Sequence, residues 1–401
     1  MGVEPAASPP VRIAHLGLGA FHRAHQVWFT QRADPAWGIA AFSGRSTRLA
    51  ETLTSQGCVY TLIERGPEAD AFSRMTSLVR ARGGHLHGEF IELVADREVS
   101  VVTLTVTERG YLPGPGRTAP RLLLEALDAR RRAGLGGLAV VPCDNLRSNG
   151  ARLRTVLLGL AGEHSRDLER WVAEHVSFVD TVSDRITPAT TAQDIELAAD
   201  AANFPDQAPV ATEPFAEWVL AGEFPAGRPA WERAGARFVD DIRPFEQRKL
   251  RLLNGGHLLL ALAGLQRGHE TVSAAMADAE LRAQVEQYWS AASYGIPEAE
   301  DYLRQVRARF SNPRLRHLLE QIALDAEEKL RERIVPVVTE LLARGADPTP
   351  ALNVVAAWLT HTGAASSGSA RDAALERLLP GWADDRLLSG CLSAATTTPK
   401  D

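Results

Sequence analysis

Cysteine is scarce. Cys58, Cys143 and Cys391 stand far apart in a chain of 401 residues. An odd, scattered set supports neither a disulfide framework nor a Cys-x-x-Cys metal pattern, and points to a reducing, cytoplasmic setting. Long hydrophobic runs are missing too: the longest, at 258–265, falls far short of a bilayer's thickness. The opening MGVEPAASPP has no basic region and no apolar core, so it reads as a loose tail and not as a leader. Positive charge is not in excess, with 44 Lys and Arg against 50 Asp and Glu and a formal net charge of −6. Nothing in that balance attracts nucleic acid or an anionic membrane. An anionic small molecule stays open, because a site can be locally basic inside an acidic protein. Internal repeats and low-complexity segments are absent as well.

What is present is ordinary for a globular protein, with 45% hydrophobic and 23% charged residues. The length exceeds what one hydrophobic core usually serves, so two domains are expected. The first half alternates short β-branched runs with helical patterns, the mark of a parallel sheet covered by helices. Strands are predicted at 11–17, 38–43, 59–63, 101–106, 138–143 and 176–182, with short extended runs at 209–212 and 237–242, and a helix at 20–33. From 245 to about 392 the periodicity is helical throughout, with breaks at Gly268, Gly295, Asn312-Pro313, 345–350 and 366–369. The fold class is therefore α/β: a Rossmann-like, mostly parallel sheet followed by a mainly α-helical C-terminal domain. The boundary is placed so that 1–240 is a dinucleotide-binding domain and 241–401 an all-α substrate and catalytic domain. The tail after Ala395 reads as frayed.

The first strand ends in Gly17-Leu18-Gly19, and a helix starts at once with Ala20, Phe21 and His22. A dinucleotide site needs this arrangement: a tight turn, close approach of a pyrophosphate to the backbone, and helix N–H groups facing it. The third glycine of the usual fingerprint is absent, and His22 holds its place. Taken alone, the pattern is also that of a plain strand-to-helix turn. At the end of the second strand the acidic residue that binds the ribose of NAD is missing too. Ser43-Gly44-Arg45 stands there, and Arg45 can meet the 2′-phosphate of NADP, stack on adenine, or face solvent.

The stretch 244–257, PFEQRKLRLLNGGH, is an apolar helix interrupted by Lys249, Asn254 and His257 around Gly255-Gly256. Buried polar groups are costly without partners, and paired glycines invite a ligand to the backbone. A lysine held against apolar surroundings has its charged form disfavoured and suits a general base. Each residue alone has a bland reading, a solvated lysine or a satisfied core histidine; clustered, they point to a site. Two loops at predicted strand ends, with Asn145 in 142–145 and Asp184 in 183–188, lie where ligands of open parallel sheets bind. Turn or cap chemistry is the plain reading of either.

Together these stretches resemble the mannitol dehydrogenase family, the polyol-specific long-chain dehydrogenases, which includes mannitol 2-dehydrogenases, fructuronate reductases, altronate oxidoreductases and arabinitol dehydrogenases. The matching segments are HLGLGAFHRAHQ (15–26), TVTERGY (105–111), PCDNLRSNG (142–150), DRITPAT (184–190), TEPFAEWV (212–219), RKLRLLNGGH (248–257) and RFSNPRLRH (309–317), in the family's order. The resemblance implies a metal-independent enzyme that passes a hydride between C2 of a sugar alcohol or 2-ketose and a nicotinamide cofactor, NAD, with NADP also open. It implies Lys249 as general base, Asn145 and Asn254 as donors to the alkoxide, His257 holding a neighbouring hydroxyl and Asp184 orienting the site. Gly17, Gly19, Ala20, Phe21, His22, Arg45 and Glu108 would hold the cofactor, and Lys329 the substrate.

Departures from the family pattern fall after Tyr111, where the chain is short; at Asp325-Ala326-Glu327, where Asp-Gly-Ser is usual; and in the Trp358 segment WLTHTG. A metal site through His22, His25 and Asp144 is the first rival, but its spacing fits no strong zinc pattern. A non-catalytic dinucleotide sensor is the second, and it gives no reason to keep Lys249, Asn254 and His257 together. Between substrates, neutral polyols are favoured over aldonates, for which Lys329 would be the carboxylate partner. Nothing demands an interface, so a monomer or weak homo-oligomer is expected, with no nucleic acid or membrane as partner.

Overall fold

The computed structural model describes residues 8–44, 46–106, 108–111, 118–202, 204–378 and 380–381. Two compact units divide between Arg243 and Pro244.

The described residues of the first unit hold these strands: β1 (Val11–Leu16), β2 (Gly38–Phe42), β3 (Tyr60–Arg65), β4 (Asp70–Met75), β5 (Leu78–Arg82), β6 (Val101–Leu104), β7 (Leu138–Pro142), β8 (Val176–Phe178), β9 (Asp180–Asp184), β10 (Val210–Thr212), β11 (Glu217–Ala221) and β12 (Arg237–Phe238). Six of them form an all-parallel sheet in the order β5-β2-β1-β6-β7-β8. Their unbroken apolar runs explain the placement. Ile13, Ile39, Val101 and Val141 enter one core with Val27 and Phe29 of the helix Gln26–Ala33. Ala14, Ala40, Phe42, Val102 and Val140 enter another with Phe90, Leu123 and Leu157. Strands buried on both faces belong inside a helix-covered parallel sheet. From β1 the chain goes to β2 on one side and later lays β6 on the other. Strand order thus reverses at the carboxyl end of β1, where ligands of such sheets bind.

The sheet departs from expectation in several places. The predicted strand 59–63 exists as β3 but leaves the main sheet, pairing antiparallel with β4 and parallel with β10. The run 176–182 splits at Val179: β8 closes the main sheet, while β9 pairs antiparallel with β11. β4, β5 and β11 have no counterpart in the expected strands, and the run at 237–242 keeps only β12. The helix expected over 20–33 breaks into Ala20–Ala24 and Gln26–Ala33. His25 causes the break, with φ −116° and ψ −78° and its Nε2 3.0 Å from the Glu217 carbonyl.

Among its described residues the second unit is helical, apart from an antiparallel bridge between Thr271 and Leu318. Its centre is Gly255–Gln266, where Leu258, Leu259, Leu260, Ala261 and Leu262 are all buried. A helix apolar on every side must be enclosed on every side. The helices Val272–Ala277, Ala279–Ala292, Leu319–Ala323 and Thr349–His361 enclose it. No helix among the described residues is long and apolar enough to cross a membrane.

Candidate active site

The glycine turn of the first unit is built by its neighbours. Gly17 has φ +107°, and a Cβ there would overlap the Thr105 carbonyl and lie 2.7 Å from Thr105 Oγ1. Only glycine fits. The Gly17 and Leu18 N–H groups donate to the Phe42 carbonyl at 2.9 and 3.0 Å, and the Thr105 hydroxyl donates to the Gly17 carbonyl at 2.7 Å. At Gly19 the fold makes no such demand, since a Cβ would meet nothing closer than 3.6 Å. The missing side chain there leaves the approach to Ala20 and Phe21 open.

His22 turns inward. Its ring stacks on His15 with centroids 3.3 Å apart, and both are fully buried. His15 lies 2.8 Å from the Thr103 hydroxyl and 3.1 Å from that of Thr105. Burial drives the pKa of His15 down to about 3, and burial with the neighbouring His15 puts His22 well below its usual value. The His22 side chain is therefore part of the floor beneath the turn, and any part it takes at a cofactor falls to its backbone. Arg45 lies outside the described residues, as does the side chain of Glu108.

Asn145 is exposed after β7, and Asp184 ends β9 almost fully buried. The loop and the strand are joined by a residue that sequence reasoning passed over. Asn149, fully buried, donates to the Pro142 and Thr181 carbonyls at 3.3 and 3.2 Å, and its Oδ1 accepts from the Gly150 and Thr181 N–H groups at 2.9 Å each. Beside it Asp144 accepts from the Tyr111 hydroxyl and from the Leu146 N–H.

The second unit's candidates gather on one helical run. Lys249–Asn254 is a π-turn between Arg243–Arg248 and Gly255–Gln266, with the Gly255 N–H reaching back to the Leu250 carbonyl. Such a turn upsets the usual pairing of carbonyls. The Tyr288 hydroxyl donates to the Arg251 carbonyl at 2.9 Å and the Trp289 indole to that of Leu252 at 2.8 Å. The paired glycines make this possible. A Cβ on Gly255 would overlap the Tyr288 hydroxyl, and one on Gly256 would lie 2.6 Å from Trp289 Nε1. The space expected to admit a ligand is filled by aromatic rings from the helix Ala279–Ala292. Gly255→Ala is accordingly expected to destabilise the protein by about 2 kcal/mol or more, overpacking and a lost hydrogen bond outweighing alanine's better helix propensity. A denaturant midpoint equal to the parent's would refute this.

Lys249, Asn254 and His257 are all buried here. The His257 ring stacks on Phe310 (centroids 4.0 Å, 13° between planes) and meets His317 edge-on (4.9 Å, 89°). Burial first, then His317, Arg309, Arg333 and Lys249, hold the His257 pKa well below its usual value. Burial, then Arg309 and Lys329, push His317 down to about 4. Both rings are thus neutral near pH 7, each with one N–H donor and one acceptor nitrogen. Lys329 also donates to the Ile322 carbonyl at 2.9 Å. Trp358, by contrast, is packed into the core of this unit. Among the buried polar atoms of the run and its surroundings, Asn254 Nδ2, His257 Nε2 and His317 Nδ1 have no hydrogen-bond partner, and neither does Arg251 Nε. Native folds leave few such atoms, and each costs about 1–3 kcal/mol. Arg309, His317 and Arg333 were not singled out from sequence, although Arg309 and His317 bound the RFSNPRLRH segment.

Comparison with known proteins agrees along the whole run of these elements. The Mannitol dehydrogenase Rossmann domain family matches residues 11–233, and the Mannitol dehydrogenase C-terminal domain family matches 241–378. The D-mannonate oxidoreductase of Escherichia coli (strain K12) is 36% identical over 90% of this chain and 82% of its own length. A mannitol 2-dehydrogenase of Cereibacter sphaeroides is 34% identical over 87% of this chain and 80% of its own. Among solved structures, the Pseudomonas fluorescens mannitol 2-dehydrogenase in ternary complex with NAD and D-mannitol superimposes with a TM-score of 0.86 at 29% identity, covering 98% of this chain and 96% of that one. The chain belongs to the mannitol dehydrogenase family.

Proposed function

We propose that this NAD-dependent oxidoreductase of the mannitol dehydrogenase family interconverts a sugar alcohol and its 2-ketose, with Lys249 as the general base. When bound, the nicotinamide supplies the hydride acceptor or donor. The glycine turn suits the dinucleotide: Gly19 leaves the backbone of Ala20, Phe21 and His22 approachable. The observation that carries the catalytic reading is the set of unpartnered buried atoms beside a buried lysine. Lys249 takes the proton from the C2 hydroxyl. Asn254 donates to the oxygen as it becomes anionic, a use for a buried N–H that the fold leaves idle. Neutral His257 holds an adjacent hydroxyl, and Asn145 and Asp184 keep the roles that the resemblance gives them.

A second reading, an aldonate or keto-acid substrate, has support of its own. Arg309, Arg333 and Lys329 bear on the same two histidines, and one of the relatives acts on D-mannonate. Oxidation of NADH and NADPH, followed by absorbance against fructose, xylulose, fructuronate and tagaturonate, separates the two. Turnover of a neutral ketose with NADH is expected. Turnover of keto-acids alone would move the assignment to the aldonate class. Cofactor binding without turnover of any of the four would count against both, in favour of a sensor.

A further inference from the structure

Beyond the residues proposed for the reaction itself, His317 has the geometry of a part of the site. It lies on an extended segment pinned on both sides. The Val272 N–H donates to the His317 carbonyl at 3.0 Å, the Leu319 N–H to the Glu270 carbonyl at 2.9 Å, and Thr271 and Leu318 form a β-bridge. That pinning sets the ring edge-on against His257, itself stacked on Phe310. A buried imidazole nitrogen without a partner costs stability unless a ligand meets it. Nδ1 of His317 and Nε2 of His257, on adjoining rings, are both buried and both unpartnered.

We propose that His317 is a substrate-binding, specificity-determining residue that reads the hydroxyl next along the chain from the one held by His257. This rests on the proposed function above. Two adjoining imidazoles with idle nitrogens match two oxygens on neighbouring carbons, the repeating feature of a polyol. A neutral imidazole offers one donor and one acceptor, as a hydroxyl does, whereas a carboxylate only accepts. Arginine and lysine serve a carboxylate better.

The test uses the full-length enzyme and the substrate it turns over best. His317→Ala is expected to raise KM about tenfold to a hundredfold, the effect of losing one hydrogen bond to a buried partner. Its kcat should stay within about threefold of the parent, because the contact is equally present in ground and transition states. His317→Asn, which keeps a short-reach donor and acceptor, should recover most of the loss. NADH affinity and thermal melting of each variant report whether the fold is kept. The parent should also discriminate against the deoxy analogue lacking that hydroxyl, and His317→Ala should not. An unchanged KM, or a fall in kcat at constant KM, overturns the proposal. Persisting activity in Lys249→Ala overturns the underlying catalytic reading instead, and leaves the KM result for His317 to be judged separately. A parent inactive toward every polyol, ketose and keto-acid tested takes down both.

Discussion

Lys249→Met is expected to lose between about a hundredfold and ten-thousandfold of kcat, the usual worth of a positioned general base. Methionine fills nearly the same volume, so the buried π-turn keeps its packing, and the loss falls on chemistry and not on folding. KM and NADH affinity should change little, because proton removal belongs to the transition state. Within the second unit's cluster the rival base is His257, whose Nε2 is idle. Arg309 and Arg333 cannot serve, since guanidinium does not give up its proton in proteins. Comparing the two variants decides between them: His257→Ala should act mainly on KM, Lys249→Met on kcat. Lys249→Ala should regain part of its activity when small primary amines are added, which reach the space the side chain left. A kcat within threefold of the parent in Lys249→Met would transfer the base role to His257.

Mild acid is expected to destabilise this protein well before carboxylates come into play. His15, His22, His257 and His317 are held neutral inside the fold, with pKa values of about 3 for His15, about 4 for His317 and well below the usual 6.5 for the other two. In the unfolded chain they titrate near 6.5. Between those limits the unfolded state binds more protons, so stability is complete above 6.5 and falls as the pH falls. By pH 5.5 each histidine has cost about 1 kcal/mol. Two sit in each compact unit, so each unit should melt about 5–10 °C lower at pH 5.5 than at 7.5. Melting temperatures unchanged over that range would mean that the rings accept protons without leaving their places.

How much of this was legible beforehand depended on whether the determining contact was local. β1, β2, β6 and β7 announced themselves because strands buried on both faces are apolar at every position. β5, reading LVRAR, did not, since its arginines reach out from a sheet edge, and β4, reading DAFSRM, is mostly exposed. No residue near 179 signals that the chain passes there from one sheet to another. The break at His25 comes from a carbonyl of Glu217, far along the sequence. Lys249, Asn254 and His257 stood out because polar residues interrupted an apolar helix. The use of Gly255-Gly256 was misjudged because Tyr288 and Trp289 lie on another helix. His317 acquires its interest through a bridge to Thr271 and a ring contact with His257, neither of which spacing can express.

The π-turn at Lys249–Asn254 also makes the site a matter of helical phase. In a regular α-helix, residues five apart point roughly 140° away from each other. An i→i+5 turn brings them back to nearly the same bearing. Lys249 and Asn254 thus share a direction because the run carries one residue more than a plain helix would need, with Tyr288 and Trp289 holding that surplus in place. Within 250–253, then, identity and number are not equivalent. Methionine in place of one of these leucines is a small change, and losing one residue leaves Lys249 and Asn254 four apart in a plain helix, still about 40° from each other, whereas gaining one would swing Lys249 about a quarter-turn out of phase with everything after it. Substitutions of like size and loss of the surplus residue both keep the two groups on one face, but a further insertion does not.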